Sequence, residues 1–158
     1  KVTRRYREVA QTASQLKQER EELTEKVTLA AKLDAVGIVV TPIDSRGKTA
    51  KKIKKTDKIK ITFSIAKNVT AEVGEKYIYA RIVKPDGDVL VKDRADVFPF
   101  EDREINYSCR KLIEYTGEEL NDVTMYWAVE EFLYPGEYRV DIFADNYKIG
   151  TRSFTLKQ

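Results

Sequence analysis

From Gly37 to the end of the chain, apolar residues recur at every second position between clusters of Gly, Pro, Asn and Asp, the rhythm of half-buried antiparallel strands. Ile59, Ile61, Phe63 and Ile65 alternate strictly with Lys60, Thr62 and Ser64, the clearest such run. Ile78, Ala80 and Ile82 alternate with Tyr77, Tyr79, Arg81 and Val83, and the aliphatic set is expected to face the core. Met125, Trp127 and Val129 share one face of a further strand. Tyr138, Val140, Ile142 and Ala144 alternate with charged neighbours, and Asp145-Asn146 then supplies a turn, because both residues tolerate left-handed backbone. The return strand spans 147–156, with Ile149, Thr151, Ser153 and Thr155 expected on one face and Phe154 and Leu156 on the other.

The connections complete the pattern. Residues 36–43 are β-branched with Pro42 near the end, which marks an edge strand. Pro85-Asp86-Gly87-Asp88 reads as a hairpin turn returning through Val89, Leu90 and Val91. Residues 94–103 read as a charged covering loop around Val97-Phe98-Pro99-Phe100, 105–115 as one strand, and 117–122 as a polar link. Leu133-Tyr134-Pro135-Gly136-Glu137-Tyr138 is a Pro-Gly turn followed by a strand-starting Tyr, the pattern of the tyrosine corner in immunoglobulin-like and fibronectin-type sandwiches. About eight short strands with no second helix predict a mainly β fold: an immunoglobulin/fibronectin-III-like antiparallel β-sandwich.

Before Gly37 the period is helical. Val2, Val9, Leu16, Leu23 and Ala30 form one seven-residue series, and Tyr6, Ala13, Arg20, Val27 and Asp34 a second. Together they outline a coiled-coil seam of roughly four heptads. A stripe this narrow does not hold a lone helix, so self-association is expected through Val2, Tyr6, Val9, Ala13, Leu16, Leu23, Val27 and Ala30. The alternative is an amphipathic helix laid back on its own sandwich. The division expected is therefore a helix over 1–35 and a sandwich over 36–158.

Reactive chemistry is scarce. The chain has no His and a single Cys, Cys109, which removes the commonest general base, the usual partner of a nucleophile, any intrachain disulfide and cysteine metal clusters. The pairs Glu101-Asp102, Glu118-Glu119, Asp86 with Asp88, and Glu130-Glu131 fall in or beside turns, where acids bond to backbone and face water. No catalytic, metal or cofactor site is expected.

One loop is strongly basic. Lys48, Lys51, Lys52, Lys54, Lys55, Lys58 and Lys60 follow Arg46 and form a candidate anion-binding site, read against a solvated or edge-protecting charge run. No aromatic lies between Lys48 and Lys60, which speaks against nucleic acid. Tyr77, Tyr79, Tyr107, Tyr126 and Tyr134 are candidates for an exposed binding patch, or for ordinary cross-strand pairs.

Lys51-Lys52-Ile53-Lys54-Lys55 running into Lys58-Ile59-Lys60-Ile61-Thr62-Phe63, the stretch from Tyr77 to Gly87, Tyr126-Trp127, and the stretch from Pro135 to Gly150 together resemble a group of uncharacterised bacterial envelope proteins. These have an N-terminal export or membrane segment, a coiled coil and a C-terminal immunoglobulin-like sandwich, and some bear a chromosome-segregation name. The resemblance implies an extracytoplasmic location. The chain opens on Lys1 rather than Met, as expected of a piece whose signal or anchor lies upstream. The function expected is a non-enzymatic adaptor: a homo-oligomer presenting its sandwich to a protein partner, or alternatively a module binding an anionic polymer or membrane surface through the lysine loop.

Overall fold

The computed structural model describes residues 31–158. The seam residues Val2 to Ala30 lie outside them. Where the helical reading reached 35, Ala31 forms a turn, 32–34 are irregular, and the first strand begins at Ala35. Leu33 is buried in the core and so belongs with the strands that follow.

The described residues form nine strands: β1 (Ala35–Ile43), β2 (Lys58–Ile65), β3 (Gly74–Val83), β4 (Val97–Phe100), β5 (Arg103–Asn106), β6 (Cys109–Tyr115), β7 (Leu120–Ala128), β8 (Gly136–Ala144) and β9 (Tyr147–Leu156). All pairings are antiparallel, in a sheet ordered β1-β2-β7, a sheet ordered β6-β3-β8-β9, and a separate β4-β5 ribbon. The two larger sheets enclose one core. Ile59, Ile61, Phe63 and Ile65 from β2 and Met125 and Trp127 from β7 meet Ile78, Ala80 and Ile82 from β3 and Tyr138, Val140 and Ile142 from β8. Each large apolar side chain removed from water in this way contributes about 1.5–3 kcal/mol. The indole Nε1 of Trp127 is buried without an acceptor among the described residues. A dry donor costs about 1–3 kcal/mol, so the ring stabilises through its apolar area alone.

Several expectations need correction. Residues 97–106, read as covering loop and strand start, form the β4-β5 ribbon, with Glu101 and Asp102 at positive φ in its turn. The run 105–115 is two strands, broken at Tyr107 and Ser108. There the buried Ser108 hydroxyl accepts from Ile82 N and donates to Leu90 O, tying three segments together. The expected return through Val89 reduces to one bridge with Val83. The link at 117–122 already contains the start of β7. Ile149 is buried rather than sharing the exposed face of Thr151, because the β8-β9 register shifts between Ile142 and Phe143. One extra residue on β9 inverts the alternation there.

The corner forms as expected. Tyr138 Oη donates to Tyr134 O at 2.7 Å, Asp145 and Asn146 both take positive φ in the β8-β9 turn, and Leu133 is buried under the corner. Gly136 has φ +145°, and a Cβ there would lie 2.9 Å from Pro85 Cγ. Tyr138→Phe is expected to lower stability by about 1 kcal/mol in urea unfolding, the value of one partly buried hydrogen bond. Gly136→Ala should cost more, roughly 1–3 kcal/mol, because the backbone is strained and the space is filled.

Candidate functional site

The lysine loop connects β1 to β2 and is held by its backbone. Asp44 N donates to Lys48 O, Ala50 N to Pro42 O, Asp57 N to Ile43 O, and Val129 N to Asp57 O, while Ile53 N reaches Lys157 O beyond β9. Residues Ile53–Lys55 form a single 3₁₀ turn, and Ala50 and Thr56 are buried against the sandwich. The Asp44 carboxylate accepts from the amides of Arg46 and Lys48. The bond from Lys48 is the main influence holding its pKa below the ordinary carboxylate value. Asp44 is thereby committed to the shape of the loop.

The geometry divides the basic cluster. Arg46, Lys48, Lys54 and Lys55 surround an open depression of about 580 Å³, which Asp44 and Asp57 also line. Lys51 and Lys52 stand exposed just before the 3₁₀ turn. Lys58 leaves the group: it lies on the outer face of β2, 5.8 Å from the Tyr126 ring centroid. Lys60 sits on that same face, opposite Tyr126.

The candidate tyrosines fall in three places. Tyr77, Tyr79 and Tyr107 meet on the outer face of the four-stranded sheet, where the β4-β5 ribbon adds what sequence reasoning missed. Phe98 stacks on Tyr79 at 4.3 Å and contacts Phe143 at 5.3 Å, while Phe100 meets Phe143 edge-on at 5.0 Å. Phe98 and Phe143 are thereby buried outside the main core. The spacing Val97-Phe98-Pro99-Phe100 is period two, but Pro99 argued against a strand; an edge ribbon tolerates it. Beside the ribbon, Tyr77 (43% exposed) and its cross-strand neighbour Leu112 (47%) remain open. The Arg110 guanidinium lies 4.8 Å from the Tyr77 centroid and 5.6 Å from that of Tyr107. Tyr126 lies on the opposite sheet, and Tyr134 lies in the β7-β8 connection, edge-on to Phe132 at 4.9 Å.

Several charged groups form ion pairs. The buried Asp141 carboxylate accepts from Thr151 Oγ1 at 2.7 Å and Arg139 Nε at 3.1 Å, with Lys148 Nζ at 3.4 Å. Arg81, next to Asp141 in register, donates from Nε to Asn106 O. Burial pulls its guanidinium below the ordinary value, and Asp141 opposes that shift. Lys76 and Asp145 pair at 2.6 Å at the other end of β3. Glu130 and Glu131 lie 3.5 and 3.8 Å from Lys92 and Lys84. Among the described residues no group of three metal-ligating side chains comes together, and no helix is long and apolar enough to cross a membrane.

Such geometry defines an antiparallel β domain with exposed side chains on both sheets. The chain belongs to the family described as a domain of unknown function (DUF8428), whose model matches residues 36–157. No curated protein matches it. Among solved structures it is similar to the Pseudomonas fluorescens alkylpurine DNA glycosylase AlkC bound to DNA containing an abasic site analog. The identity is 14% and the TM-score 0.46, over 84% of this chain and 32% of that one. It is also similar to two β-glucosidases: that from Kluyveromyces marxianus in complex with glucose (11% identity, TM-score 0.46, 80% of this chain and 14% of that one) and that from Listeria innocua (14%, 0.44, 80% and 16%). The chain thus spans a third or less of each, and at these similarities they bear on neither substrate nor partner.

Burial pushes the Cys109 thiol up to about 12. Cys109, partly exposed at the surface, should therefore react with a soluble disulfide reagent at pH 8 more slowly than a free thiol, and at the ordinary rate once the protein is unfolded in guanidinium. Rapid native labelling would contradict this placement.

Proposed function

We propose that the chain is a non-enzymatic adaptor: an immunoglobulin-like, fibronectin-III-like sandwich, presented by an oligomeric N-terminal coiled coil at the cell envelope, that contacts a protein partner. Support for the fold class comes from three strands facing four around one core and from a tyrosine corner on the strand after the crossover. The observation that carries the binding role is the open patch of Tyr77, Leu112 and Arg110 on the outer face of β3 and β6. Tyr and Arg dominate the energetics of protein interfaces, and a sheet face holds them at little ordering cost. The heptad series in residues 1–34 supports self-association.

A second reading rests on the lysine loop. Its backbone is fixed while Lys51, Lys52, Lys54 and Lys55 stand exposed, which favours contact with an anionic polymer or membrane surface. Replacing these four with Gln should weaken retention on heparin strongly while changing stability by no more than about 0.5 kcal/mol.

Sedimentation velocity checks the primary reading. The full chain should sediment as an oligomer, and residues 31–158, which keep Leu33 and all of β1, as a monomer. A monomeric full chain at high concentration would sink the oligomeric adaptor.

A further inference from the structure

We infer that the end of the sandwich bearing the lysine loop is a docking tip for an anionic lipid bilayer, with the Phe132 and Tyr134 rings as its inserting element. This rests on the second reading above for the lysines and joins to them Phe132 and the candidate Tyr134.

Two independent features coincide at that end. The register places the start of β2 beside the end of β7, Lys58 opposite Ala128, and Val129 N donates to Asp57 O. The start of β8 lies beside the end of β9, Gly136 opposite Leu156, and Ile53 N donates to Lys157 O. The lysine loop and the 129–135 connection therefore flank the same pole. On that connection Phe132 is 73% exposed and Tyr134 61%, their rings packed edge-on as one apolar prong.

The prong is built rather than loose. Leu133 between the two rings is buried to 2% exposure, so its neighbours on either side point outward. The Tyr134 carbonyl is held by the Tyr138 hydroxyl, which fixes the base of the prong. Aromatic side chains with one polar end settle at the headgroup level of a bilayer, and basic residues beside them are drawn to anionic lipid. On the connection itself Glu130 and Glu131 face Lys92 and Lys84, while Asp44 and Asp57 line the depression among the lysines, Asp44 with its carboxylate on the Arg46 and Lys48 amides. Asp86 and Asp88 lie in the neighbouring turn, with Asp86 spending one oxygen on the Asp88 amide. A purely electrostatic contact with an anionic polymer needs only the lysines and leaves the rings in water. A bilayer uses both.

The test is cosedimentation of the full chain with phosphatidylglycerol-containing vesicles, with pure phosphatidylcholine vesicles as the neutral control and heparin binding measured alongside. The protein should bind the anionic vesicles, more tightly at low salt, and hardly bind the neutral ones. Phe132→Ser with Tyr134→Ser should lower vesicle partitioning about tenfold or more and leave heparin binding unchanged. Lys51, Lys52, Lys54 and Lys55 to Gln should lower it about 100-fold or more. All these side chains are exposed, and an unchanged melting temperature confirms that each variant folds. Vesicle binding retained by the ring variant overturns the tip while leaving the electrostatic reading standing. Heparin binding without vesicle binding also overturns it in favour of an anionic polymer. No binding to either overturns both.

Discussion

The structure depends on two rows of side chains meeting dry between the sheets. β2 and β7 supply one row and β3 and β8 the other, and each inward position is aliphatic or aromatic with scarcely an interruption. Because the strand period is two, this requirement fixes every outward position as well. A one-residue slip of β2 would put Lys60 and Thr62 in the core and Ile61 and Phe63 in water. The outward surfaces are therefore by-products of the core: Tyr77, Tyr79 and Arg81 face outward because Ile78, Ala80 and Ile82 must face inward.

One outward surface is then covered a second time. The β4-β5 ribbon lays Phe98 and Phe100 over Tyr79 and Phe143, giving β3 and β8 an apolar layer on each side along part of their length. Where the ribbon stops, the outer face is polar and held by charge. Asp141, Thr151, Arg139 and Lys148 satisfy one another, as a buried carboxylate requires. The open patch at Tyr77 and Leu112 is what the ribbon leaves bare.

The two main sheets were legible in the sequence because burial on one face writes itself as alternation. The ribbon was not, since Pro99 and the charged turn at Glu101-Asp102 imitate a loop. The break at Ser108 was hidden because the alternation runs through it, and only the buried hydroxyl bonds to Ile82 and Leu90 reveal it. Ile149 was misplaced by a bulge, which leaves no compositional trace. In the lysine loop the charges were plain, whereas the assignment of Asp44 to its own backbone amides depends on geometry. Tyr134 was a candidate for an exposed patch as well as a corner residue, while Phe132 read only as the entry to the corner. That they project follows from Leu133 being taken into the core, a choice made by the whole fold.

The direction in which the backbone crosses the body has a mechanical meaning. β1 begins at Ala35 beside Gly150, near the β8-β9 turn, while β9 finishes at Leu156 beside the opposite pole. Tension applied through the two ends of this unit would run along β1 and β9, across ladder hydrogen bonds that lie perpendicular to it. Those bonds would share the load together instead of peeling one by one, the geometry of a shear clamp.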